Sequence, residues 1–529
     1  MPWIGTQGRQ LALLAGLATV WLWLACDGRL HWDEPGYWYT AANFSIAEIL
    51  QGDFQPSEVK GFSVSRTGHV LLLKAIVAGF GTGQTGLAIV IGCYLVMLAA
   101  FMALSRRILR RLAPDVRYAG WAVAIGAFAP IVPYLGFKTL AEIPALLLAA
   151  ITVLAFLRAL DSRPLPWMAL SALSLAGVAI TKNHTVLLFA GLVAALLACN
   201  GLGHRTGKIL RYGFLVGSGS LAIFFALLWT TGITLANYLE VGSFVARLHD
   251  PLQARLITLL LECGMLAFAL PLAFLGGRKS LARFYTVWFV LTTVPMLVFN
   301  RVEDRYLAVN LVPLLGLVQL SIEGLAPRLR RWWAERPALT AATAAACASL
   351  TIATDAVAQQ LMFHGLRMDR LQTVLQRLDE AYGHNGYAIL TPNEYTVFLY
   401  LRFVHPDRQV YTVFTPAPPN HHADPIGWAV FQKHYYGLRS VHTVDELRAI
   451  GKPLVYLTPE SNPTVASARE LLAHLPSTRL RQLGQDFIDS MQPVNPATLS
   501  WLWREPRVQL AVDLRYSPYV AMRARIGGV

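Results

Sequence analysis

Long apolar runs, separated by short polar and basic breaks, fill the first two thirds of this chain. About eleven of them approach the roughly 20 residues that an α-helix needs to cross a bilayer. They centre on residues 10–27, 84–104, 118–136, 140–158, 165–181, 184–201, 212–233, 256–276, 284–300, 306–324 and 338–356. Another apolar stretch, His69 to Phe80, is too short to span and carries Lys74 in its middle. It predicts a helix lying in the interface, with the lysine reaching back to water. Beyond residue 356 the period changes. Strand-like runs at Tyr387–Leu390, Gln409–Phe414 and Pro453–Leu457 alternate with helical patterns at Met368–Tyr382 and Thr443–Ile450. Such alternation predicts a small α/β unit. The expected fold class is a polytopic α-helical membrane protein over residues 1–356, followed by a soluble α/β domain over residues 357–529.

Composition supports the membrane class. The chain is 55% hydrophobic and 14% charged, against about 25% charged in soluble domains. A net charge of +14 raises nucleic acid as a partner, but the placement of that charge argues against it. The basic residues sit in short breaks between apolar runs: Arg106, Arg107, Arg110, Arg111 and Arg117; Arg158 and Arg163; Arg205, Lys208 and Arg211; Arg278, Lys279 and Arg283; Arg328, Arg330, Arg331 and Arg336. These are alternate breaks, which the positive-inside rule assigns to the cytoplasm. The amino terminus is then cytoplasmic. The loop at 28–83, the turns at 136–140, 181–184 and 300–306, the 234–255 loop and the tail all face the other way. The five cysteines lie in or beside apolar runs, with no disulfide framework or zinc spacing. The first run lacks a small-residue cleavage site and reads as a retained helix. The tail holds no Walker A or G-x-G-x-x-G phosphate loop.

Candidate chemistry gathers on the external side. His31-Trp32-Asp33-Glu34-Pro35-Gly36-Tyr37-Trp38 follows the first apolar run, so a paired acid arrives as the chain leaves the membrane. Glu142 opens a span just before Pro144, where the helix dipole favours a carboxylate. Lys182-Asn183-His184 breaks another pair of spans, as a plain hairpin turn with interfacial charges also would. Arg247 and His249 lie in the 234–255 loop, and Arg301, Glu303, Asp304, Arg305 and Tyr306 crowd the 300–306 turn. Arg305 has Glu303 and Asp304 beside it as simple partners. Taken together, two separated acids and several cations share one face. That combination suits a phosphate-bearing lipid held by the cations and an acceptor deprotonated by one acid.

These residues bring the chain to a resemblance. It resembles the GT-C-fold glycosyltransferases of the protein-mannosyltransferase and lipid A aminoarabinose-transferase type, over about residues 1–356. Asp33-Glu34, followed by Pro35 and Tyr37, sits after the first span as in that family. Arg66-Thr-Gly-His69-Val-Leu-Leu-Leu, leading to Gly79-Phe80-Gly81, resembles the family's Lys-Pro-Pro-Leu stretch and its Phe-Gly. Glu142-Ile-Pro-Ala-Leu-Leu-Leu stands where the family has its second acid. Ala179-Ile-Thr-Lys182-Asn183 resembles its Leu-Thr-Lys-Gly turn. Asp304-Arg305-Tyr306-Leu, with Pro313-Leu-Leu, resembles its Arg-Tyr-Leu-Leu-Pro-Leu run. The chain departs from the pattern at Arg66 for lysine, Thr67-Gly68 for two prolines and Asn183 for glycine.

The resemblance implies an inverting transferase that moves a sugar from a polyprenyl-phosphate-linked donor to a lipid, glycan or protein acceptor at the outer face of a bacterial inner membrane. Asp33 would be the base. Glu34 and Glu142 would shape the acceptor site or help hold a divalent metal, for which the sequence shows no decisive ligand set. Arg66, Lys182, Arg305 and Arg247 would meet the donor phosphate. Tyr37, His69, His184, Glu303, Asp304 and Tyr306 would line the acceptor or sugar site. No nucleophile–base pair of the Ser–His or Cys–His kind is evident, as inversion requires none. Two other classes remain open from the residues: a transporter or flippase of lipid-linked saccharides, and a glycan-binding membrane protein. A transporter needs a polar path, and the spans carry few charges away from the external face.

Overall fold

A computed structural model describes residues 16, 19–22, 25, 29–31, 33–51, 66–162, 164–231, 252–298, 305–362, 365–390, 395–411, 434, 449–452, 454–457 and 508–511. Among these, eight helices are long and apolar enough to cross a membrane: Gly83–Leu112, Glu142–Asp161, Pro164–Thr181, Thr206–Thr230, Arg255–Gly276, Lys279–Val298, Ala308–Glu335 and Pro337–Ala358. Each coincides with an expected span. Two other expected spans differ. The run at 118–136 is two short helices, Ala119–Gly126 and Ile131–Gly136. Pro130 lies between them and has no N–H to continue the ladder. The run at 184–201 opens as a 3₁₀ turn, Asn183–Val186, and is α-helical only over Leu187–Ala198. The run at 10–27 lies largely outside the described residues.

Two of the eight helices form the centre. In Leu311–Glu335 every residue from Leu311 to Ser321 is buried, and most of Glu142–Asp161 is buried as well. Outer helices turn large apolar side chains outward, among them Val96, Leu173, Phe214 and Trp229. That is the surface a helix presents to lipid. Close approach is set by small residues. At Gly316 an added Cβ would meet the Tyr285 ring at 2.3 Å.

The Thr67–Phe80 helix forms where expected and buries His69, Val70 and Leu73. It packs on the Asp33–Asn43 helix. Lys74 is half-buried, and its Nζ donates to the Ala41 carbonyl at 3.1 Å. The Thr67–Phe80 helix also approaches the end of Pro164–Thr181 closely. A Cβ on Gly68 would lie 2.5 Å from Thr181 Oγ1. So Gly68 lets the helix carrying His69, with Arg66 just before it, reach the turn that carries Lys182.

The tail joins the same structure. Strand β1 (Arg29–His31) pairs antiparallel with β2 (Gly365–Arg367), with His31 opposite Gly365. Strands β3 (Ala388–Leu390), β4 (Val410–Tyr411), β5 (Leu454–Leu457) and β6 (Val508–Ala511) form a parallel sheet in the order β4-β3-β5-β6. The first three fall in the expected strand runs, and the helix Met368–Tyr382 forms as expected. The expected helix Thr443–Ile450 lies almost wholly outside the described residues. Parallel neighbours need a crossover, and between β3 and β4 it is the helix Tyr395–Val404. Its aromatic face meets the loop helix, with Trp38 ring centroids 6.2 Å from Tyr400 and 5.6 Å from Phe403. One apolar core therefore runs from the bundle into the tail. Within the tail, Arg408 grips Asp379 with two nitrogens, at 2.8 and 2.6 Å, and donates to Tyr387 Oη at 2.6 Å.

Candidate active site

Five elements end at one point. Asp33 begins a helix directly after β1. Glu142 is the first residue of one central helix. Arg305 precedes the 3₁₀ turn Tyr306–Asn310 that leads into the other. Lys182 lies in extended backbone between Thr181 and the turn Asn183–Val186. Arg66 precedes the Thr67–Phe80 helix. Turns and helix starts place these side chains, while the buried helices behind them supply rigidity.

Arg305 is the hub. Its side chain is 1% exposed. Nη2 donates to Asp33 Oδ2 at 2.6 Å, and Nε to Glu142 Oε1 at 2.8 Å. Nη1 lies 2.8 Å from His31 Nδ1 and also against His31 Nε2. Lys182 Nζ reaches the same Glu142 oxygen at 2.8 Å. The Arg66, Lys182 and Arg305 charges all act on Asp33. Burial pushes the Asp33 carboxyl up, and these three cations outweigh that and hold it below its ordinary value. Asp33 is a carboxylate with one edge open, since its side chain is 28% exposed. Among the described residues, three cations thus face the two carboxylates of Asp33 and Glu142, an excess of one positive charge in a largely buried cluster.

Tyr37 and His69 adjoin the cluster. Their rings meet edge to face with centroids 4.7 Å apart. Burial holds the His69 imidazole at about 3, so it is neutral, with Nδ1 2.8 Å from Tyr94 Oη. His184 follows Lys182 in the 3₁₀ turn and has its N–H on Asn183 Oδ1 at 2.8 Å. Tyr306 opens the turn after Arg305. Arg247, Glu303 and Asp304 lie outside the described residues.

Glu34 does different work from its neighbour. Oε1 accepts from the Thr139 N–H at 2.6 Å and from Thr139 Oγ1 at 2.9 Å, and Oε2 accepts from the His31 N–H at 2.7 Å. Burial raises the Glu34 carboxyl against those bonds and the Lys138 charge. Trp38 Nε1 completes the set by donating to Thr139 Oγ1 at 2.7 Å. Glu34 ties the loop to the 136–140 turn. The sequence placed His31 at the head of the Asp33-Glu34 stretch without giving it a role, and did not single out Lys138 or Thr139 as site residues. His31 had a signal, lying two residues before Asp33. Thr139 had none, because its partners are about a hundred residues away.

A divalent metal does not fit the residues described. Glu142 has one oxygen engaged by two cations, and Asp33 is paired with Arg305. Among the described residues no three His, Cys, Asp or Glu side chains converge in a metal-sized group.

No family model matches the sequence, and no characterised protein matches it by sequence. Solved structures do. ArnT from Cupriavidus metallidurans in the apo state matches with a TM-score of 0.53 at 15% identity, over 89% of this chain and 95% of that one. ArnT from the same organism bound to undecaprenyl phosphate matches with a TM-score of 0.52 at 14% identity, again over 89% and 95%. The chain has the fold of these membrane proteins, as the sequence motifs led us to expect. The match extends into the tail, beyond the region where those motifs lie.

Proposed function

We propose that this protein is a membrane glycosyltransferase that moves a sugar from a polyprenyl-phosphate-linked donor to an acceptor at the external face of a bacterial inner membrane. The observation that carries this reading is the buried cluster of Asp33, Glu142, Arg66, Lys182 and Arg305 with its excess positive charge. A dianionic or monoanionic lipid phosphate is the ligand such a cluster favours. The shared fold with an ArnT structure holding undecaprenyl phosphate supports the same class of lipid.

The chemistry follows from the charges. Arg66, Lys182 and Arg305 hold the donor phosphate and stabilise the negative charge that collects on it as the sugar–oxygen bond breaks. Asp33 takes the proton from the acceptor hydroxyl or amine as it attacks the anomeric carbon from the opposite side, which inverts that centre. A carboxylate held by Arg305 is a weak base. The incoming phosphate draws on Arg305 and restores basicity to Asp33 when the donor is in place. Glu142 keeps Lys182 and Arg305 in position. Glu34 maintains the loop. The tail packs on the Asp33–Asn43 helix through Tyr400 and Phe403, and we assign it the choice of acceptor.

The test is direct. Purified protein is given a polyprenyl-phosphate sugar and a panel of envelope lipids and glycans. Release of the free lipid phosphate, with the sugar on a new carrier, supports transfer. Movement of intact donor between leaflets without release defines a transporter instead.

A further inference from the structure

We propose that His31 is a positioning residue that seats Arg305 and links the tail to the charge cluster. The kinetic consequence rests on the transferase reading above; the geometric one does not. Two N–H donors meet the His31 ring. The Asp33 backbone N–H reaches Nδ1 at 3.2 Å, and Arg305 Nη1 lies 2.8 Å from Nδ1 and also against Nε2. A backbone amide only donates, so Nδ1 accepts and carries no proton. The ring therefore meets the guanidinium in its neutral form. It is buried, at 4% exposure.

That seat determines where the guanidinium lies. With Nη1 on His31, Nη2 falls on Asp33 and Nε on Glu142. A planar fork held at three nitrogens has little freedom left to rotate. His31 is fixed in turn on its backbone. Its N–H donates to Glu34, which Thr139 anchors, and it stands opposite Gly365 in the β1–β2 ladder. Contacts thus run from the tail strand through His31 to Arg305 and on to both carboxylates. Among the described residues, the charged groups recorded at His31 include Arg305, Asp33, whose Oδ2 is 4.0 Å from Nδ1, and Glu34 through the backbone. Neither the Asp33-Glu34 motif nor the excess of cations explains why a histidine occupies this position. The acceptor nitrogen does.

Three full-length variants test the proposal. His31→Asn keeps an acceptor oxygen near the position of Nδ1. His31→Phe keeps the ring volume without an acceptor, and His31→Ala removes both. The first readout is kcat with a polyprenyl-phosphate sugar, alongside the melting temperature of each variant. We expect His31→Phe and His31→Ala to lose about 10²-fold in kcat, the scale of a misplaced reacting group. His31→Asn stays near wild type, and His31→Phe melts no lower than His31→Asn. Wild-type kcat in His31→Phe overturns the proposal, and so does a His31→Asn as slow as His31→Phe. The second readout needs no turnover. The Asp33 carboxylate is titrated by infrared spectroscopy with ¹³C-labelled aspartate, as a difference against Asp33→Asn. Its titration moves upward in His31→Phe, because Arg305 is no longer held on it, and stays in place in His31→Asn. An unmoved titration in His31→Phe overturns the proposal. If the wild type transfers no sugar, the functional reading fails and the infrared result alone decides the role of His31.

Discussion

Replacing Arg305 with alanine strips three partners from one buried guanidinium at once. Taking one member out of a buried ion pair destabilises a protein by about 3–5 kcal/mol, because a charge is left behind without compensation. Here two effects soften the loss. Asp33 has a side chain 28% exposed and rehydrates in part, and Glu142 keeps Lys182 at 2.8 Å. The expected value is then near the lower end, about 3 kcal/mol. Burial of Asp33 also goes less opposed, so its carboxyl titrates higher than in the wild type. Arg305→Lys separates charge from shape. Lysine restores the charge but not the fork that spans Asp33 and Glu142, so part of the stability returns and transfer does not. The assay is a thermal melt in detergent or nanodiscs, paired with sugar transfer at matched protein. An Arg305→Ala protein that melts with the wild type would falsify the hub. Full transfer by Arg305→Lys would contradict the geometric part of the argument.

Other consequences reach further into the fold. Thr139→Val removes the hydroxyl shared by Glu34 and Trp38 and should lower stability by about 1–3 kcal/mol, the scale of leaving a buried polar group unpaired; an unchanged melt would rule that anchoring role out. Gly316→Ala puts a methyl within 2.3 Å of the Tyr285 ring and should destabilise the bundle centre by about 1–3 kcal/mol, again read by melting. Burial holds His69 at about 3, against about 6.5 in an unfolded chain. A depressed folded value gives stabilisation that is complete above about pH 6.5 and is lost as pH falls toward about 3. The melting temperature should drop across that window, and His69→Gln should flatten the drop. A reporter fused after residue 400 should be active only outside the cytoplasm, and a cytoplasmic signal would overturn the orientation.

Much of this arrangement was legible in the chain because membrane helices announce themselves. Runs such as 84–104 and 284–300 needed only apolar length, and they became helices. Pro130 was equally visible, yet a run of apolar residues around it read as one span where the structure has two short helices. The site was legible in part. Asp33, Glu142, Lys182 and Arg305 stand out as charges at the ends of apolar runs, where each needs a partner. Which partner each takes was hidden, since Glu142 meets Arg305 across 163 positions. Arg305 pairs with Asp33 and Glu142, partners the sequence did not name for it, while its neighbours Glu303 and Asp304 lie outside the described residues. Glu34 looked like a twin of Asp33, and only folding shows its oxygens on Thr139 and His31. The Tyr395–Val404 helix gave no clear pattern, because aromatic and β-branched residues fill a segment that its packing on Trp38 makes helical.

The measurement that bears most directly on the account is release of lipid phosphate from a polyprenyl-phosphate sugar by wild type, Asp33→Asn and Glu34→Gln, with donor binding measured on the same preparations. Asparagine keeps the shape of Asp33 but takes up no proton at neutral pH. The wild type should release lipid phosphate, and Asp33→Asn should lose about 10²–10⁴-fold in rate, the usual effect of removing a general base. Donor binding should survive that change. Glu34→Gln should be impaired less, in step with any loss of stability. Near-normal release by Asp33→Asn, with Glu34→Gln inactive at full stability, would contradict the account and move the base to Glu34.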